Sequence, residues 1–188
     1  MKNYTAQDIE NWLHQSGAQF THSIVAHTPI RTYEKSLHRL GNARISVSNK
    51  LGKTLRMFYK SLYTGAARRL VNENSHMHLY RPDTFVTIEG ATAVNFHDPS
   101  QTIHCNITLG HLPRDFGAEE LAEKFATCWY LQGKNGGTHV KAFVLDPARG
   151  DHDWIGYTLK ECQKNPNMAW DELGCWDVTN CYLRPKNR

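Results

Sequence analysis

The sequence lacks the features that would place the protein in a membrane or outside the cell. No apolar run approaches the ~18–20 residues of a membrane span, and the N-terminus is polar rather than a signal peptide. The five cysteines are odd in number and include no CxxC pair, which favours reduced thiols over a disulfide framework. We therefore expect a soluble, cytoplasmic protein with no membrane partner.

Internal repeats and low-complexity segments are also absent. The 188 residues are 40% hydrophobic and 21% charged, which excludes a disordered or fibrous chain. At about 100–200 residues per domain, the length predicts one domain over 1–188, with an N-terminal helix in 1–20 and an irregular tail over 165–188. We therefore expect no helicase motor within these residues.

Acidic residues are scarce between positions 31 and 81, although the net charge of the whole chain is only +4. Eleven Lys and Arg stand against two Glu in this segment, which gives it +9 and leaves −5 for the remainder. Aromatic residues are interleaved with the basic ones. Basic side chains neutralise phosphates and aromatic faces accept unstacked bases, so the mixture is typical of single-stranded nucleic-acid binding. The candidate DNA-binding residues are Lys50, Lys53, Arg56, Lys60, Arg68 and Arg69.

Hydrophobic periodicity predicts an α+β fold. Thr5 and Asp8 form a capping box that begins the first helix, and apolar residues at helical spacing mark a long basic helix over 51–62. Period-2 segments predict strands over 21–27, 84–90, 102–110 and 139–145, the first ending before Pro29; further helices begin near 119 and 154. We expect a ferredoxin-like or palm-type antiparallel sheet of about four or five strands, with helices mainly on one face.

Two of these strands carry polar residues that suit a divalent cation. Alternation along 102–110 puts His104 and Asn106 on one face and apolar residues on the other. If the strand ending at Glu89 pairs with it antiparallel, the carboxylate lies beside both side chains. A carboxylate, an imidazole and an amide oxygen form a mixed donor set for a hard or borderline cation. Each residue alone is an ordinary polar strand residue, and their grouping is what favours a metal site.

A second reactive group lies on the short helix near residue 157. Tyr157, Lys160 and Glu161 are at i, i+3 and i+4, so they project from one helix face. An ammonium one turn from a phenol favours the phenolate and can hold a phosphate oxygen, which makes Tyr157 a candidate nucleophile. A surface tyrosine above a lysine is the simpler alternative for this pair taken alone.

The order of these motifs resembles that of the HUH endonucleases, the single-tyrosine initiators of rolling-circle replication in plasmids, phages and related mobile elements. The resemblance covers residues 21–164 and rests on three motifs, Glu89, His104-Cys105-Asn106 and Tyr157-Thr158-Leu159-Lys160-Glu161. It implies a nickase with strand-joining activity that acts on single-stranded or hairpin origin DNA. A separate helicase and polymerase would then be its partners.

The resemblance also implies a role for each motif residue. Glu89, His104 and Asn106 would hold a divalent cation, Mg²⁺ or Mn²⁺. Tyr157 would attack the scissile phosphate and form a 5′-phosphotyrosyl link, with Lys160 positioning the phosphate.

Asn106 departs from the family pattern, which has His, or Gln in some branches, at this position. An amide oxygen still coordinates, but Asn is one methylene shorter than Gln, so we expect weaker metal affinity. His97 is an alternative imidazole if its loop folds back. His76 and His78 match a His-x-His pattern, although they precede the strand of Glu89.

Two other functions fit the same sequence. A catalytically weak or inactive DNA-binding protein on this fold, which recognises an origin or competes with an initiator, would account for Asn106. A structural or metal-sensing module would require zinc on Cys175, Cys181 and nearby histidines, although a C-x5-C spacing without a second pair is a weak zinc signal.

Overall fold

The computed structural model describes residues 5–33, 35–71, 77–90, 97–131, 139–146, 154–160 and 175–184. Along the chain the elements are α1 (Ala6–Ser16), β1 (Phe20–Arg31), α2 (Leu37–Ser61), α3 (Gly65–Leu70), α4 (Met77–Tyr80), β2 (Asp83–Glu89), β3 (Thr102–Gly110), α5 (Ala118–Tyr130), β4 (Val140–Val144) and α6 (Trp154–Thr158). The predicted α+β class is confirmed. Within the described residues, no helix is both long and apolar enough to cross a membrane.

The four strands form one antiparallel sheet in the order β2-β3-β1-β4. His104 of β3 is paired with Glu89 of β2 on one side and with His27 of β1 on the other. Directly opposed residues of an antiparallel sheet point to the same face. The register therefore brings a carboxylate and two imidazoles into one row on one face, which we call the polar face.

The opposite face of the sheet, the helical face, packs against the two long helices. Strand residues such as Ile24, Ile88 and Ile107 join one buried cluster with Phe58 of α2 and Phe125 of α5. The apolar side of β3 is completely buried, as the alternation of its residues predicts. The prediction that helices lie mainly on one face is confirmed for these two long helices.

A smaller apolar cluster lies at one end of the polar face. Ile9 and Leu13 of α1 pack there with Phe85 of β2, with Leu159 after α6 and with Trp176. The capping box that begins α1 forms as predicted, since Thr5 accepts from the Asp8 amide and the Asp8 carboxylate accepts from the Thr5 amide. This cluster fixes α6, and with it Tyr157, against the sheet.

Residues 175–184 of the expected irregular tail form an ordered segment along the outer edge of β2. Thr84 exchanges two backbone hydrogen bonds with Tyr182, and the Ile88 amide donates to the Cys175 carbonyl. The segment thus satisfies backbone groups that an exposed edge strand would leave open. Cys175 is disulfide-bonded, so the expectation of reduced thiols is wrong for this cysteine.

Two predicted boundaries are wrong. β1 continues through Pro29 because its ladder with β3 is irregular between His27 and Arg31, where the Thr28 hydroxyl donates to the Ile103 carbonyl instead. α2 begins well before residue 51, at a cap in which the Ser36 hydroxyl accepts from the Arg39 amide. Weak helix formers such as Gly41 obscured its first turns in the sequence.

Candidate active site

Glu89 is the last residue of β2 and is fully buried. Gly90 follows it with φ 83°, and a Cβ at that position would lie 2.9 Å from the Thr102 carbonyl oxygen. Only glycine tolerates both conditions. The glycine therefore lets the chain leave the sheet directly after Glu89 while the strand holds the carboxylate on the polar face.

The two oxygens of Glu89 have different surroundings. Oε2 lies 3.0 Å from His104 Nε2 and 3.0 Å from Lys160 Nζ. Oε1 is buried and accepts no hydrogen bond from the described residues. Because an unsatisfied buried carboxylate oxygen is costly, Oε1 marks a position where a further donor or cation would be stabilised.

Lys160 connects Glu89 with Tyr157. Its Nζ lies 4.0 Å from the centre of the Tyr157 ring as well as beside the carboxylate. Partial burial alone would lower the pKa of Lys160, but the Tyr157 hydroxyl and the Glu89 carboxylate together raise it above the ordinary lysine value. Lys160 is therefore an ammonium at neutral pH, next to a tyrosine that is half exposed.

His27 belongs to the same row and was not among the candidate residues from the sequence. Its ring is stacked on that of His104 at 5.1 Å between centroids, and the His139 ring lies 5.9 Å away. Burial lowers the pKa of His27, and the electrostatic influence of His104, His139 and Lys141 lowers it further. A neutral imidazole thus lies beside His104. Its place in a period-2 segment was visible in the sequence, but the β1–β3 pairing was not.

A cavity of about 450 Å³ opens beside this row of side chains. Arg31, His27 and His139 contribute basic groups to its lining, together with hydroxyls of Thr28, Ser100 and Thr102. Among the described residues, no carboxylate lines it. The cavity therefore offers space and hydrogen-bond donors for an anionic ligand next to His104.

Asn106 lies on the polar face, two residues along β3 from His104. It is paired with Thr87, and its Nδ2 lies 3.4 Å from the Thr87 hydroxyl. The described residues contain no group of three His, Cys, Asp or Glu side chains that could hold a metal ion. The Glu89 carboxylate, through its open Oε1, and the His104 imidazole supply two suitable ligands for a hard or borderline cation. A third ligand is present only if the Asn106 amide oxygen also coordinates.

No family model, curated protein or solved structure matches this chain significantly.

The basic helix lies on the other side of the sheet from this site. Leu51, Leu55 and Phe58 of α2 pack on the helical face, whereas Glu89 and His104 lie on the polar face. The candidate DNA-binding residues of α2 and α3 are half-buried or exposed around these core positions, namely Lys50, Lys53, Arg56, Lys60, Arg68 and Arg69. The four candidates in α2 therefore lie on the other side of the sheet from Tyr157.

The alternative ligands are not brought into the site. His97 is exposed, and His27 rather than His97 is stacked on His104. His76 and the side chain of His78 lie outside the described residues.

The geometry also disfavours zinc on the tail. Cys175 is disulfide-bonded and has no thiolate to offer. The Cys181 sulfur accepts hydrogen bonds from the Val86 amide and from Trp176 Nε1, and burial raises its pKa to about 12. Cys181 is therefore a packed structural thiol.

Proposed function

We propose that this protein is an HUH-type DNA endonuclease that nicks one strand of an origin or hairpin and initiates replication of a mobile element. One observation supports the proposal above all. Glu89, His104, Lys160 and Tyr157 come from motifs far apart in the sequence, and they lie together on one face of the sheet.

The proposed reaction is a transesterification at phosphorus. The Tyr157 oxygen forms a bond to the scissile phosphorus while the bond from phosphorus to the 3′ oxygen breaks. The phenolic proton passes to solvent, which reaches the half-exposed Tyr157, and the departing 3′ oxygen takes up a proton. Because the phosphodiester energy is retained in the 5′-phosphotyrosyl link, reversal of this step joins strands.

Lys160 stabilises charge in this reaction. Its ammonium lies over the ring that must become a phenolate, and it is near enough to the site to hold a phosphate oxygen. Its raised pKa means that it remains charged at neutral pH and does not act as the base.

Glu89, His104 and Asn106 are the residues that would hold Mg²⁺ or Mn²⁺. Such an ion, when bound, neutralises charge on the scissile phosphate and polarises its oxygens. The protein would act in the cytoplasm with a separate helicase and polymerase.

The proposal is tested by trapping the covalent intermediate. Wild-type protein and the Tyr157→Phe variant are incubated with Mn²⁺ and labelled single-stranded or supercoiled origin DNA from candidate mobile elements. We expect a labelled protein–DNA adduct on a denaturing gel with the wild type and none with Tyr157→Phe, because phenylalanine has no nucleophilic oxygen.

Tyr130→Phe is the matched control, since Tyr130 is an exposed tyrosine on α5. It should form the adduct at the wild-type level. An adduct that persists in Tyr157→Phe would contradict the assignment of the nucleophile, and no Tyr157-dependent product on any substrate would contradict the nickase.

A non-catalytic DNA-binding protein remains the second candidate. Lys160 already places a positive charge 3.0 Å from Glu89, so the carboxylate is compensated without a metal ion. This candidate predicts hairpin binding that EDTA does not change, without nicking.

A further inference from the structure

A second basic cavity lies on the helical side of the β2 edge, between α2 and the tail. Its volume is about 280 Å³, and Asn49, Arg56, Tyr59, Arg81 and Asn180 contribute to its lining. It is distinct from the site on the polar face, because its α2 residues belong to the helix that packs on the helical face.

Arg81 is held in place by aromatic rings. Its guanidinium carbon lies 4.5 Å from the centre of the Tyr182 ring and 5.5 Å from that of Tyr59. Its Nε is buried and has no hydrogen-bond partner in the described part of the chain. A stacked guanidinium keeps its donors in a fixed plane, so Arg81 can present them to an acceptor in the cavity that it lines.

Arg56 provides a second guanidinium at the same cavity. It is exposed on α2. The described residues place no carboxylate in the lining of the cavity. The neighbouring Asp177 accepts hydrogen bonds from Ser48 and Asn180. Two arginines around a small volume without acidic lining suit a tetrahedral dianion or a phosphodiester.

We propose that this cavity binds a backbone phosphate of the DNA, at a point across the sheet from the nicking site. Lys53 and Lys60 lie three residues before and four residues after Arg56, so a basic stripe continues from the cavity along α2. A continuous stripe favours a polyanionic strand over a free phosphate ion. The inference rests on the DNA-binding part of the proposed function and not on cleavage.

The test compares three arginine variants in EDTA, where metal-dependent cleavage is suppressed. Fluorescence anisotropy measures the affinity of a labelled DNA hairpin for wild type, Arg56→Gln, Arg81→Gln and Arg39→Gln over a range of salt concentrations. We expect Arg56→Gln and Arg81→Gln each to weaken binding several-fold and to reduce the salt slope by no more than about 0.9, the value for one phosphate that is no longer neutralised, because either variant leaves one guanidinium on the shared phosphate. Arg39, an exposed arginine of the same helix outside the cavity, is the matched control and should change neither quantity.

Three results would overturn the proposal. These are unchanged binding by Arg56→Gln, an equal loss with Arg39→Gln, and saturation of the cavity by inorganic phosphate that does not compete with the hairpin. Circular dichroism checks folding, and Arg56→Gln decides the question if Arg81→Gln fails to fold. The adduct assay with Tyr157 reports separately on cleavage, so failure of the nickase would leave these binding results interpretable.

Discussion

At the scale of single residues, the site is dominated by one buried carboxylate. Glu89 is completely removed from solvent, and both of its polar contacts with the described residues are made by Oε2. Burying a charge is costly unless a partner compensates it, and removing that partner leaves the cost behind. Lys160 is the permanent positive charge at this position, so the stability of the site should depend on it until another cation takes its place.

Lys160→Met tests this dependence. It keeps an apolar stem of similar length and removes the ammonium, so we expect a loss of about 1–2 kcal/mol in EDTA, a value reduced for the partial exposure of Lys160. Urea denaturation measures the free energy of unfolding. Mn²⁺ should restore more stability to the variant than it adds to wild type. Equal effects of Mn²⁺ on both proteins would contradict a cation site at Glu89.

Asn106→His tests the third ligand. An imidazole on the polar face, two residues from His104, would complete the His-hydrophobic-His pattern, and we expect Mn²⁺ to bind at least about tenfold more tightly, or about 1.4 kcal/mol. Isothermal titration calorimetry measures the affinity directly. Asn106→Ala is the control and should bind Mn²⁺ more weakly than wild type. If neither variant changes the affinity, Asn106 is not a ligand and only orients Thr87.

At the scale of secondary structure elements, local sequence patterns predicted the positions of the strands well, but they did not predict which strands pair with each other. β3 has the predicted bounds, and its two faces are divided as the alternation of Ile103, His104 and Cys105 requires. The pairing of β1 with β3 joins residues about 80 positions apart, as in His27 with His104, and no local pattern encodes it. For this reason Glu89 and His104 could be grouped from sequence, while His27 could not.

The contact between the tail and α2 also joins residues far apart in the sequence. The two segments approach each other closely at Gly52 of α2. A Cβ at Gly52 would lie 2.7 Å from Asn180 Oδ1. The Asn180 amide cannot turn aside freely, because its Nδ2 donates to the Ser48 carbonyl and to Asp177. The tail therefore requires the absence of a side chain at this position of the helix.

Gly52→Ala sets two effects of opposite sign against each other. Alanine in a helix interior stabilises by about 1 kcal/mol relative to glycine. Overpacking against Asn180 costs about 1–3 kcal/mol, so we expect net destabilisation, measured by urea denaturation. Gly117→Ala is the control for adding a Cβ without overpacking, since a Cβ there meets no described atom within 4 Å; because Gly117 is the N-cap of α5, this variant should lose only the N-cap preference of glycine over alanine. Net stabilisation of Gly52→Ala would mean that Asn180 moves aside at little cost.

At the scale of the whole molecule, the sheet separates two basic regions with different surroundings. The polar face combines His27, His104 and Lys160 with Tyr157, the proposed nucleophile, whereas the described part of α2 presents a basic stripe without such a grouping. The sequence showed that residues 31–81 are basic. It did not show on which side of the sheet they lie, because that side is determined by the face of the sheet against which α2 packs. DNA that touches both regions has to pass around an edge, which suits a hairpin with a single-stranded arm better than a short single strand.

This separation predicts that binding and chemistry can be changed independently. The double variant Lys53→Gln/Lys60→Gln should bind a hairpin more weakly, with a salt slope smaller by about 0.9 for each phosphate that the lysines neutralise in wild type. Its rate of adduct formation on a saturating short single strand should equal that of wild type, because both lysines lie on the helical side.

Lys141→Gln is the complementary variant, since Lys141 of β4 shares a row of the polar face with Asn106. It should weaken binding of the short single strand, and it should change the salt slope for hairpin binding less than the α2 double variant does. If the α2 double variant instead lowers the adduct rate at saturation, the basic helix contributes to the reaction itself and the two regions do not act separately.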